Sequence, residues 1–286
     1  MANVMICEPR LSDAAVLTAS GSGANFPVSG LQRMQLYNVW RPDSLTSFVV
    51  ADLGAARDVR SVALISCAAA AVPDAAVEGG FRIEGTASAA AQWRVRAADD
   101  AADLESDPGY DSGWTSFRQS GAADDLLVQT GFLWVADGLA PRQFRYWRID
   151  FEDETNVAGF ADFGRLYISD AQPFGINMSY GAGIGYDDPT RVNQSVSGTV
   201  HSIVRTPVPL LDFNVEWGTE AEMLGRALAL DRRRGTGRDV LALMDHAHTE
   251  FAAQRTVYGT MESLGQVLLP YFNIFAKRYR IRGIMP

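Results

Sequence analysis

Residues 40–67 read WRPDSLTSFVVADLGAARDVRSVALISC. The stretch holds two apolar runs, Phe48-Val49-Val50-Ala51 and residues 59–67, with Asp52-Leu53-Gly54 between them. Asp-x-Gly between two β-rich runs predicts a turn joining two strands. Asp52 can hold such a turn through its own backbone, and Gly54 permits a conformation closed to other residues. A second stretch, residues 144–169, reads FRYWRIDFEDETNVAGFADFGRLYIS. In it Trp147, Ile149 and Phe151 alternate with Tyr146, Arg148 and Asp150, the period of a half-buried strand. Trp147 and Ile149 are expected to fill a core, and Arg148 to face away from it and pair with a carboxylate or a neighbouring subunit. A polar loop follows, then a second β-like run, Leu166-Tyr167-Ile168.

These residues carry a resemblance. A Trp before a polar loop, a strand ending in Asp-Leu-Gly and then a Val-rich strand are similar to the opening of galactose-binding-like (discoidin-type) β-sandwiches. The aromatic-Trp-Arg-Ile strand followed by Phe163-Gly164-Arg165-Leu166-Tyr167-Ile168 is similar to their ending. Phe81 to Thr86 and Tyr110 to Trp114 resemble their middle strands. The resemblance covers residues 36–170 and implies an eight-stranded jelly roll, without implying a particular ligand. Residues 1–35 read as an N-terminal arm, with Val4-Met5-Ile6 as a short strand and one helical turn near residues 31–37.

Composition narrows the class. The 286 residues suffice for one large or two ordinary domains. At 47% apolar residues and a net charge of −9, the chain is an ordinary globular protein with no electrostatic case for nucleic acid. Lys277 is the single lysine. Cys7 and Cys67 are the two cysteines, expected as small buried hydrophobes, with a bridge between them left open. There is no run of 18 apolar residues and no charged-then-apolar leader, so membrane insertion is not expected.

From residue 171 the texture changes. Residues 171–198 are rich in Gly, Ser, Asn and Tyr and read as a linker or a long hairpin. Gly181, Gly183 and Gly185 form Gly-x-Gly-x-Gly without the strand–helix context a dinucleotide site needs. Residues 199–286 read as a second unit: strands over 200–204 and 210–217, a helix near 219–234, then strands over 240–244, 256–261 and 272–284. The helix is signalled by a capping box at Thr219 and Glu222, by Arg232-Arg233-Arg234 at its end and by Gly235 as a stop. This order resembles the small β-barrel domains of tailed-phage tail proteins, those of distal-tail and baseplate rings. The fold class expected is therefore all-β: a jelly-roll sandwich plus a small C-terminal barrel with one helix. Deleting residues 195–286 is expected to leave a soluble sandwich.

Signals for chemistry are few. Asp99, Asp100, Asp103, Glu105, Asp107 and Asp111 cluster without the spacing of a calcium loop. His246 and His248 form His-x-His, which on a strand would place both rings on one face. Asp150, Glu152, Asp153 and Glu154 are crowded at a strand end and read as a loop edge rather than a hydrolytic pair. No nucleophile elbow, phosphate loop or Cys-x-x-Cys occurs. The expectation is a protein that is not an enzyme and takes no metal or cofactor. The resemblances imply a structural component of a phage or phage-like tail tip, made in the host cytoplasm and located in the virion. It would form a homo-oligomeric ring and contact tail-tube and hub proteins. The alternative is a carbohydrate-binding module for host-surface glycan, with Trp40, Trp114 and Trp134 as candidate sugar platforms.

Overall fold

The alternating strand of residues 144–151 lies at the centre of the first sheet. The structure, a computed structural model, describes residues 3–68, 70–73, 81–124, 126–196, 198, 200–247 and 250–286. It is mostly β, with 45% strand and 11% helix. In chain order the strands are β1 (Met5–Cys7), β2 (Val16–Ala19), β3 (Thr46–Val59), β4 (Ser61–Cys67), β5 (Ala70–Pro73), β6 (Phe81–Glu84) and β7 (Gln92–Ala98). Then follow β8 (Tyr110–Asp111), β9 (Thr115–Ser116), β10 (Val128–Trp134), β11 (Arg142–Glu152) and β12 (Phe163–Ser169). The C-terminal region adds β13 (Gly183–Asp187), β14 (Arg191–Gln194), β15 (Val200–Ile203), β16 (Val208–Gly218), β17 (Asp239–Leu243), β18 (Thr256–Leu264), β19 (Leu268–Tyr271) and β20 (Ile274–Gly283).

Three antiparallel sheets stack. The outer sheet has the order β2-β3-β11-β7-β8, with β9 also on β7. The middle sheet is β10-β4-β12, and the C-terminal sheet runs β1-β17-β18-β20-β16-β13 with β19 on β20. Register explains the outer sheet. Trp147 sits between Ala51 and Ala97, and Ile149 between Val49 and Val95. Two small neighbours leave room for the indole, which is fully buried. The rows between them, Val50–Arg148–Arg96 and Phe48–Asp150–Arg94, face the other way.

The turn expected at Asp52-Leu53-Gly54 is not where the chain reverses. β3 continues through it to Val59, and the break falls at Arg60. Gly54 has φ 76°, and the Gly54 amide donates to Asp52 Oδ1 at 2.8 Å. The local geometry is the expected one, but it forms a bulge: the register slips between Phe144 and Tyr146 on the opposite strand. The side chain of the unmatched Arg145 closes back on Asp52, at 2.7 and 2.8 Å.

The middle sheet is covered on both faces. Every residue of β4, SVALISC, is buried. Val62 and Leu64 pack into the sandwich core with Trp147 and Phe163. Ala63, Ile65 and Cys67 pack with Tyr167 against Met5, Cys7, Leu241, Leu243 and Tyr258 of the C-terminal sheet. The next residues along those strands, Val4, Ile6, Val240 and Ala242, pack the other way, against Met223, Ala227 and Leu230 of the C-terminal helix. The result is four layers: outer sheet, middle sheet, C-terminal sheet, helix.

A buried ionic cluster ties the second and third layers. Asp239 at the start of β17 receives Arg165 Nε at 2.7 Å, Tyr167 Oη at 2.7 Å and Arg234 Nη2 at 2.7 Å. Arg165 also meets Asp13 at 2.7 Å. Burial pushes the Asp239 carboxyl up, but Arg165, Tyr167 and Arg234 outweigh it and hold it below its ordinary value. For Asp13 burial wins over Arg165, and its pKa is raised.

This stacking revises two expectations. The first 35 residues are not an arm: β1 pairs with β17 and β2 with β3, so the segment is divided between two sheets. The soluble sandwich expected on deleting residues 195–286 is revised to an exposed one, because the deletion would uncover the face of the middle sheet where Ala63, Ile65, Cys67 and Tyr167 pack against Leu241, Leu243 and Tyr258. Of the two readings of residues 171–198, the long hairpin is what forms: β13 pairs with β16, and β14 with β15 beyond it. Cys7 and Cys67 are both free and buried. Burial pushes the Cys7 thiol up to about 12 and that of Cys67 higher still.

The helix follows its signals. Glu222 N–H donates to Thr219 Oγ1 at 3.3 Å and Thr219 N–H to Glu222 Oε2 at 3.1 Å, a reciprocal capping box. Residues Ala221–Ala227 wind in the wider π form and Leu228–Arg234 as α-helix, and Gly235, with φ 55°, ends it.

Candidate functional site

The three tryptophans expected as sugar platforms do not meet. Trp40 is 1% exposed in the sandwich core, its ring tilted against that of Phe163 at 5.5 Å. Its Nε1–H donates to Gly21 O and Ser22 Oγ, both at 3.1 Å. Trp134 packs between the sandwich and the C-terminal sheet, 4.3 Å from the His246 ring, and donates to Gly138 O at 3.0 Å. Trp114, between β8 and β9, is 42% exposed. Trp40 is thus a core residue and Trp134 a contact between layers, which leaves Trp114 alone at the surface. His248, the second half of the His-x-His pair, lies outside the described residues.

The outward face of the outer sheet is charged, and its charges are used up on one another. Arg96 pairs with Asp150 at 2.9 Å in a buried contact. Arg148 reaches Asp150 at 2.8 Å and Glu105 at 2.5 Å, and its guanidinium lies 3.7 Å over the Phe48 ring. Arg94 pairs with Asp111, and Arg145 with Asp52. Of the clustered acids of residues 99–111, Glu105 and Asp111 are thus paired with arginines of the sheet. Arg145 holds Asp52, and Arg94 holds Asp111, below the usual carboxylate range. An open depression of about 440 Å³ lies here, between Val50, Tyr146 and Leu104.

The unsatisfied surface is on the C-terminal unit. All residues of β14 and β15 are exposed. Register puts Val192 opposite Ser202 and Gln194 opposite Val200, so Val192 and Val200 share one face. Val196 stands at the tip, and Ile203 and Val204 are exposed near the base. The Gly183-Ile184-Gly185 segment, part of the Gly-x-Gly-x-Gly that lacks the context of a dinucleotide site, is β13, the edge strand from which this hairpin projects.

A second exposed apolar group lies at the turn between β19 and β20. Phe272 is 92% exposed, beside exposed Leu268, Leu269 and Tyr271. Trp217 stacks on Tyr271 at 6.0 Å and 19°. Its backbone has φ 64°, where the β16–β20 register slips between Val215 and Gly218. A bulky residue in that region costs on the order of 1–3 kcal/mol, and the strained bulge is what turns the indole outward. Of this group, Phe272 falls within the strand expected over residues 272–284. Trp217 was read as an ordinary strand residue, because a bulge leaves no mark in the alternation.

Comparison with known proteins adds a likeness of fold. The chain matches no family model. It matches no curated protein. Among solved structures it is similar to the family 32 carbohydrate-binding module of Clostridium perfringens NanJ in complex with galactose. That likeness has 17% identity and a TM-score of 0.38, over 57% of this chain and 98% of that one. It is also similar to chitosan-binding module 1 of a Paenibacillus sp. IK-5 chitosanase/glucanase, at 15% identity and a TM-score of 0.33, over 54% and 93% of the two chains. At such identity and score the likeness carries nothing about a ligand of this chain.

Proposed function

We propose that this chain is a structural, self-associating protein whose stacked sheets form a rigid body and whose C-terminal unit supplies the contacts between copies. The observation that carries the reading is the hairpin β14–β15, exposed on both faces with its valines outward. Contiguous exposed apolar surface marks an interaction site far more often than isolated residues do. The exposed group around Trp217 and Phe272 supports the same reading from a second place on the unit. Two different patches on one chain suit a head-to-tail contact, which closes into a ring when the rotation permits. A phage or phage-like tail tip, with tail-tube and hub proteins as further partners, is the finer form of this proposal. It rests on the sequence resemblance of residues 195–286. Sedimentation velocity on the purified chain over a wide concentration range tests the reading. Association of the full chain is expected; a monomer at every concentration would contradict it.

A second reading, attachment to a glycan, rests on the exposed Trp114. It predicts saturable binding on a sugar array that Trp114→Ala abolishes without lowering the melting temperature.

A further inference from the structure

One cleft in the molecule contains polar groups without partners. It measures about 460 Å³ and lies between the sandwich and the C-terminal unit. One wall includes Ala122, Leu126 and Val128, and the other Tyr186, Pro207 and Ile284. Among the described residues no Asp, Glu, Lys or Arg lines it. Gln119 and Gln129 do line it, and the side-chain oxygen of each is buried with no hydrogen-bond partner. Gln129 is only 3% exposed. A buried acceptor left unmade costs roughly 1–3 kcal/mol, so two of them in one apolar cleft point to a missing donor.

The same chain carries a segment with the complementary character. Residues 192–204 read VNQSVSGTVHSIV, with no Asp, Glu, Lys or Arg. They combine the exposed Val192, Val196 and Val200 with the amide and hydroxyl donors of Asn193, Gln194 and Ser202. The cleft is uncharged, apolar and short of donors; the hairpin beyond Arg191, at its base, is uncharged, apolar-faced and rich in them. Thr206, Pro207 and Pro209, at the base of the hairpin, line the cleft mouth, yet β14 and β15 are themselves exposed throughout.

We infer that the cleft of one copy receives the β14–β15 hairpin of the next, an inference that rests on the self-association proposed above. On seating, the Gln119 and Gln129 amides would turn from their buried positions to accept hydrogen bonds from the incoming hairpin, while its valines cover the apolar walls. Each copy then offers one hairpin and one cleft, a heterologous contact that repeats around an assembly.

Two variants with one added cysteine each test this, since Cys7 and Cys67 are buried. Chains carrying Ala123→Cys and chains carrying Val196→Cys are mixed and oxidised. A covalent heterodimer is expected, well above the homodimer background of either variant alone. The double variant should give a ladder of covalent multimers. A cross-link within one chain, which adds no mass, would overturn the inference, as would an absence of cross-linking in chains that sediment as oligomers. That last result would leave self-association standing and only its seating wrong; a monomer at all concentrations would remove both. Gln129→Leu supplies a readout that a purely structural role would not move. It should weaken association about tenfold, the worth of one buried hydrogen bond, while leaving the melting temperature of the dilute chain unchanged or higher.

Discussion

β4 and the β14–β15 hairpin are made of the same kind of strand and meet opposite fates. β4 is buried along its whole length, clasped by the sandwich core on one face and the C-terminal sheet on the other. The hairpin is exposed along its whole length. A continuous apolar run such as SVALISC demands two covers, and the fold provides both. In the hairpin the valines are interleaved with Asn, Gln, Ser and His, a compromise between solubility and contact. The first is a stability element; the second is, on the proposal above, a contact element between copies.

The comparison can be broken most severely from the buried side. Asp239→Ala leaves Arg165 and Arg234 buried without their shared carboxylate. It should cost about 3–5 kcal/mol, read from urea unfolding. Trp147→Ala should cost a similar ~3–5 kcal/mol by opening a cavity between Ala51 and Ala97, unfolding the sandwich rather than silencing a ligand site. Removing residues 195–286 should give an insoluble or molten fragment, detected by dye binding, because Ala63, Ile65 and Cys67 would lose the sheet that covers them.

Acid acts on the same junction. The folded pKa of Asp239 lies below its ordinary 3.8, so the unfolded chain takes up the proton first. Its stabilisation is complete above about pH 4 and is lost as the pH falls through the folded value. Asp13, with a raised pKa, contributes in the opposite sense. Unfolding free energies measured between neutral pH and pH 3 should fall in the wild type and be flatter in Asp239→Asn.

The exposed side sharpens the contrast with the smallest effect on stability. Val192→Ser with Val200→Ser should change unfolding by no more than about 0.5 kcal/mol, yet weaken association measured by sedimentation. The two thiols should stay silent to an aromatic disulfide reagent until the chain unfolds, because the thiolate is disfavoured by burial.

Much of this was legible in the residues. The alternation of β11 gave its core face, and the capping box and Gly235 gave the helix with both ends. β4 could be read as a strand but its second cover could not, because that cover comes from β1 and β17, far away in sequence. The bulge at Gly54 imitated a turn, since Asx geometry and a left-handed glycine serve both. β10 was overlooked: Val128, Thr130, Phe132 and Trp134 do alternate, but Gly131 and polar neighbours mask the period. The site was the less legible part. Exposure of the hairpin is the absence of a partner, and no local pattern encodes that. Gln119 and Gln129 stand out only once two distant segments enclose them.

Hydrogen–deuterium exchange, followed segment by segment over a range of protein concentrations, tests the contrast most directly. The amides of β4 should be strongly protected at every concentration. Those of β14 and β15 should exchange quickly in the dilute chain and become protected as it associates, together with residues 119–129 at the cleft. Hairpin protection that is already high in the dilute chain, or that does not change on association, would contradict the account.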